Sequence, residues 1–207
     1  MNNGSGTTNG TKAPLSYTNR MGDTYFLHAG KTKTGKPRYF VAKTVRAGAL
    51  DVMPKGYEFS ESVNGVVSVR RVNTTAPEIP ESDLAMVRAE LARHQQTQGH
   101  RVDAVKDEII VFEPRGGVGP AALAEFARAA HVHPDLLEPL WGRRASRVRY
   151  DPVMKFVPAE TPGHYAVHRM TYRGAGGWSW SLTIGPLRRL VSKYIKHLGK
   201  DSFYELM

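Results

Sequence analysis

The stretch Tyr25-Phe26-Leu27-His28-Ala29-Gly30-Lys31-Thr32-Lys33-Thr34-Gly35-Lys36-Pro37-Arg38-Tyr39-Phe40-Val41 decides the fold at the front of this chain. Two short aromatic runs flank a polar loop carrying Lys31, Lys33 and Lys36, with Arg38 just beyond it. Aromatic and β-branched residues suit strands, and Gly30, Gly35 and Pro37 suit the turn between them. The spacing predicts a β-hairpin whose tip is a cluster of flexible cations. Such a tip is suited to meeting an anion.

Working outward, residues 1–15 are rich in Gly, Asn and Thr and read as a flexible tail. Residues 16–73 read as a small basic β-meander module with strands at 24–28, 38–43, 57–61 and 66–71. The last two strands are joined across Asn64-Gly65, a dipeptide favoured in two-residue hairpin turns because both central residues need positive φ. Residues 44–56, with Gly48, Pro54 and Gly56, read as a loop, and 74–80, with Pro77 and Pro80, as a linker.

Residues 81–207 read as a mixed α+β domain. Leu84, Val87 and Leu91 repeat at helical spacing within 81–98, with Gly99 placed to end the helix. Strands follow at 101–105 and 108–112, helices at 121–130 and 134–141, and strands at 147–157, 165–172 and 178–184. The last helix, 186–198, is amphipathic. Leu187, Leu190, Val191, Tyr194, Ile195 and Leu198 form one stripe, opposite Arg189, Lys193, Lys196 and Lys200. The fold class expected is therefore α+β: an antiparallel β module, then a mixed domain closed by an amphipathic helix.

Composition narrows the function classes. The chain has 207 residues, 41% hydrophobic, which is enough for a real core. It has no cysteine, which removes disulfides, thiolate metal sites and cysteine nucleophiles together. No apolar run approaches the roughly 20 residues of a helical membrane span, and a cytoplasmic location is expected. The formal charge is +10, a balance that attracts polyanions such as DNA, RNA, anionic surfaces or acidic proteins. It is unevenly spread. Residues 1–74 hold 11 Lys/Arg against 4 Asp/Glu, 75–115 hold 5 against 8, and 116–207 hold 13 against 7. Two basic blocks flank an acidic middle.

Several stretches compete as sites. The tip Lys31-Thr32-Lys33-Thr34-Gly35-Lys36 can grip phosphates, with the Thr32 and Thr34 hydroxyls adding hydrogen bonds. The rings of Tyr25, Phe26, Tyr39 and Phe40 offer stacking surfaces or, equally, the module's own core. Residues 123–140 carry a helix-turn-helix-like pattern, followed by Arg143, Arg144, Arg147 and Arg149. His131 stands there in place of a turn glycine and Pro139 interrupts the second helix, so a plain packed helix pair fits better. The glycine-rich 115–120 turn lacks the lysine and hydroxyl of a phosphate loop. Trp178 and Trp180, beside three glycines, suit recognition or sheet anchoring. His131 with His133, and His164 with His168, lack metal-site spacing, and Ser179, His168 and Asp151 lack any nucleophile context. No cofactor or metal is expected.

Two pieces carry a resemblance. Tyr17-Thr18-Asn19-Arg20 through Lys36-Pro37-Arg38-Tyr39-Phe40, with Pro54-Lys55-Gly56-Tyr57-Glu58, resembles the start of a family of uncharacterised bacterial proteins. Tyr172-Arg173-Gly174 through Ser202-Phe203-Tyr204-Glu205-Leu206 resembles its ending. The matching pieces cover under half of the chain. The resemblance implies one architecture containing both the β module and the C-terminal region, and it transfers no site residue.

The expectation is a non-catalytic nucleic-acid-associated protein. Lys31, Lys33, Lys36 and Arg38 hold phosphates, assisted by Arg143, Arg144, Arg147 and Arg149. The alternative is a protein-interaction subunit that meets an acidic partner through Trp178, Trp180, Arg189, Lys193 and Lys196. An enzyme acting on an anionic substrate near Arg115 and His168 is the third reading.

Overall fold

The structure, a computed structural model, describes residues 13–72, 79–115, 128–133, 148–171 and 177–206. The chain divides into two compact units, Met1–Asn73 and Thr74–Met207. Three antiparallel sheets and two described helices make it a mixed α+β protein. Among the described residues, no helix is long and apolar enough to cross a membrane.

In the first unit, β1 (Ser16–Thr18), β2 (Thr24–Lys31) and β3 (Pro37–Ala42) form an antiparallel sheet in that order. A second hairpin pairs β4 (Tyr57–Glu61) with β5 (Val67–Arg71). Rings join the two sheets. Tyr39 meets Tyr57 edge-on at 4.7 Å, and Tyr17 meets Phe59 at 5.2 Å. Polar side chains fix the same junction. The Tyr17 hydroxyl and the Arg20 N–H donate to the Glu61 carboxylate, and the buried Asn19 amide donates to the Gly65 carbonyl at 2.7 Å.

The loop after β3 folds back along β2. Leu50 N–H donates to the Leu27 carbonyl and Ala29 N–H to the Gly48 carbonyl, so β2 is bonded on both sides along its buried stretch. Leu27 and His28 are fully buried there.

The β4–β5 turn departs from the two-residue form expected at Asn64-Gly65. Ser62 N–H bonds the Val66 carbonyl, Gly65 N–H bonds the Ser62 carbonyl, and the Ser62 hydroxyl accepts from Val66 N–H. Only Gly65 takes positive φ (72°) within this loop. The serine hydroxyl closes a five-residue loop, which removes the need for a second left-handed residue.

In the second unit a five-stranded antiparallel sheet runs in the order β10-β9-β8-β7-β6. Its strands are β6 (Arg101–Val105), β7 (Glu108–Pro114), β8 (Tyr150–Pro158), β9 (His164–Arg169) and β10 (Thr183–Pro186). Pro152 cannot donate a ladder bond, and the register accordingly shifts opposite Val111/Phe112, where a central strand tolerates proline. Helices α1 (Glu81–Ala92) and α2 (Leu187–Tyr194) share one apolar core with this sheet. Leu84, Val87 and Leu91 of α1 and Leu187, Leu190, Val191 and Tyr194 of α2 join Ile109, Val111, Phe156 and Val167 in it. The Tyr165 hydroxyl adds a 2.6 Å bond to Asp83 of α1.

The first helix ends earlier than its 81–98 periodicity suggests. The Thr97 hydroxyl donates to the Leu91 and His94 carbonyls, and His94 is extended, so a 3₁₀ turn at Gln95–Thr97 replaces the last helical turns. The 178–184 segment is likewise shorter as a strand. Trp178 makes an isolated bridge to Met170, and regular pairing begins only at Thr183.

Candidate nucleic-acid interface

The β2–β3 tip is built by the same hydrogen bonds as the β4–β5 turn. Thr32 N–H bonds the Lys36 carbonyl, Gly35 N–H bonds the Thr32 carbonyl, and the Thr32 hydroxyl accepts from Lys36 N–H at 3.1 Å. Gly35 takes the positive φ (80°) that Gly65 takes in the other loop. Thr32-Lys33-Thr34-Gly35-Lys36 and Ser62-Val63-Asn64-Gly65-Val66 are therefore one turn written twice. The fold requires a hydroxyl at the first position and glycine at the fourth. It does not require lysine at the second or fifth, where the other loop carries Val63 and Val66.

The Thr32 and Thr34 hydroxyls also bond each other at 3.0 Å, so they rigidify the tip. Lys31, Lys33, Lys36 and Arg38 are all exposed. Among the described residues none of the four forms an ion pair. Arg38 lies over the Phe40 ring at 5.7 Å, a contact that holds the guanidinium without neutralising it. The neighbouring rings are used for packing. Phe40 stacks on His28 at 5.3 Å and Tyr39 meets Tyr57, while the Lys43 ammonium lies over Tyr25 at 5.6 Å.

In the second unit, Arg143, Arg144 and Arg147 lie outside the described residues, as do most of the helix-turn-helix-like stretch and the turn at 116–120. Arg149 is described and exposed, and its carbonyl accepts from Arg115 N–H. The Arg115 guanidinium is committed to Asp151 through two bonds of 2.9 and 2.6 Å. That pairing holds the Asp151 carboxyl below its ordinary value and raises Arg115. Arg115 is a strand-to-strand tie.

The hydrolase-like trio is committed elsewhere too. His168 Nδ1 bonds the Ser179 carbonyl oxygen at 3.0 Å. The Ser179 hydroxyl donates to the Trp180 carbonyl and accepts from Arg169 N–H, while Asp151 holds Arg115. Among the described residues no group of three or more His, Asp or Glu side chains comes together.

The two tryptophans part company. Trp178 is half-buried, with the Lys155 ammonium 5.2 Å from its ring centroid and donating to Glu108. Trp180 is 94% exposed. Three residues after it, Thr183 opens β10, and together β10 and α2 line an open groove of about 640 Å³. Arg188, Arg189, Lys193 and Lys196 line it from the helix side, and Thr183, Ile184, Gly185 and Pro186 from the strand. Arg189, Lys193 and Lys196 stand in the sequence as an interaction face; Arg188 and the strand side do not. The Arg188-Arg189 doublet directly after Pro186-Leu187 is the signal that could have found the groove. Among the described residues none of these four cations forms an ion pair.

Compared with models of known families, with curated proteins and with solved structures, the chain matches none.

Proposed function

We propose that this chain is a non-catalytic, nucleic-acid-associated binding protein that holds phosphates on the β2–β3 tip. One observation carries the reading. Lys31, Lys33, Lys36 and Arg38 are exposed and, among the described residues, free of carboxylates on a turn whose twin folds without any cation. A loop that needs no lysine for its shape, yet displays four cations in eight residues, is suited to an anionic partner. The excess of +10 supports a polyanion over a small anion, because long-range attraction accumulates over many phosphates.

The test is a salt titration of binding to labelled DNA and RNA oligonucleotides by fluorescence anisotropy. Affinity falls steeply with salt, because the cations release counterions from the phosphates. The variant with Lys31, Lys33, Lys36 and Arg38 all changed to Gln binds more weakly, with the log–log salt slope shallower by roughly 3. Absence of binding by the unaltered protein at low salt ends this reading.

A further inference from the structure

We infer that the groove between β10 and α2 is a single-strand site, with phosphates along the α2 cations and a base stacked on Trp180. The inference rests on the reading that the chain binds nucleic acid, and it adds a second site and a strand class.

The placement of the arginines is the first argument. Helix α1 opens with Glu81 and Asp83, the charges that suit the positive end of a helix dipole. Helix α2 opens with Arg188 and Arg189 and has no acidic residue in its first turn. Pro186 at its cap position offers no side-chain acceptor. The Leu187 N–H is held by the Gly163 carbonyl, but the arginine side chains and the dipole still add to one another where a surface helix ordinarily offsets them. A local arrangement that opposes the fold's own electrostatics is the mark of a site, and an anion is what relieves it.

Spacing is the second. Arg189 and Lys193 lie four residues apart, hence about 6 Å along the axis, and Lys196 follows in the 3₁₀ turn Ile195–His197 that replaces the last turns of the helix expected over 186–198. That rise is of the order of the separation between successive phosphates of an extended strand. A groove of about 640 Å³ lies within the range that takes a small ligand, enough for one or two nucleotides of a longer chain.

Trp180 selects the strand class. Its ring is 94% exposed and begins three residues before the groove, so at most about 11 Å of chain separates it from Thr183. An indole face stacks on an unpaired base, whereas the bases of a duplex already cover one another. An extended acidic peptide fits less well. The edge strand offered to it has four residues and ends in Pro186, a poor template for strand addition.

The experiment measures anisotropy of a labelled fifteen-nucleotide oligo(dT), a duplex of equal length and a labelled poly-glutamate peptide at low salt. Five proteins are compared: unaltered, Trp180→Ala, Trp180→Phe, a groove variant with Arg188, Arg189, Lys193 and Lys196 changed to Gln, and the tip variant with Lys31, Lys33, Lys36 and Arg38 changed to Gln. Oligo(dT) is expected to bind in preference to both other probes. Trp180→Ala weakens it about tenfold, Trp180→Phe restores most of the loss, and the groove variant weakens it further. Trp180 is so exposed that its variants melt like the unaltered protein, and they decide the matter should the groove variant fail to fold. Equal binding of duplex, tighter binding of poly-glutamate, or an unchanged affinity in Trp180→Ala overturns the inference. If the tip variant alone loses binding, this inference falls and the proposed function stands. If the unaltered protein binds no oligonucleotide, both fall.

Discussion

His28 is fully buried, yet both ring nitrogens are satisfied: Nδ1–H donates to the Phe26 carbonyl and Nε2 accepts from Arg46 N–H at 3.0 Å. The ring thereby links β2 to the loop that folds back on it. Gly48 makes that return possible, with φ at 84° and an added Cβ only 2.5 Å from the Ala29 carbonyl oxygen. Gly48→Ala is expected to destabilise the first unit by at least about 2 kcal/mol, measured by denaturant unfolding. His100 is a different case. Among the described residues neither ring nitrogen reaches a partner at full hydrogen-bonding geometry, and burial outweighs the upward pull of the Thr97 backbone to push its pKa below the ordinary value. Above about pH 6.5 the ring is neutral whether folded or not and contributes nothing. Below it the unfolded chain takes a proton that the folded site resists, so stability falls as pH falls. The melting temperature should therefore drop between about pH 7 and pH 5, and His100→Gln should flatten part of that drop. His197, lowered chiefly by burial and then by Lys196 and Lys200, keeps the remainder.

At the scale of elements, the twin turns make the sharpest prediction. Thr32→Val removes the acceptor of Lys36 N–H, and Ser62→Ala removes that of Val66 N–H. Each is expected to cost about 1 kcal/mol in chemical denaturation, because the two hydroxyls have the same task. Strands such as Tyr57–Glu61 and Arg101–Val105 are legible from composition and bounding turns alone, and the start of α1 from Leu84, Val87 and Leu91 after Pro80. What escapes such reading is decided by side-chain oxygens that compete with the backbone. Thr97 cuts α1 short, Ser62 changes the Asn64-Gly65 turn, and Ser179 bonds the Trp180 carbonyl ahead of β10. The three-residue β1 is also invisible locally, since it exists through its pairing of Tyr17 with Tyr25. The tip cations can be read because they are contiguous. The groove is half legible: the Arg188-Arg189 doublet and the cations after it can be read, but they meet Thr183–Pro186 only once β10 has paired with β9.

For the whole molecule, charge is the governing quantity. An excess of +10 that includes eight cations at the tip and groove, none ion-paired among the described residues, repels itself, and salt screens that repulsion. Raising the salt from about 20 to about 150 mM should therefore raise the melting temperature of the free protein, read by calorimetry. The same change should weaken oligonucleotide binding. Opposite signs for the two measurements separate an electrostatic partner from one held by apolar contact, whose affinity would hold or rise.

The repeated turn makes the tip an exchangeable head. Because Thr32 and Gly35 impose its shape and Thr34 braces it, the side chains at 33 and 36 can be rewritten. Two glutamates in place of Lys33 and Lys36 would reverse its attraction while the hairpin beneath stays as it is.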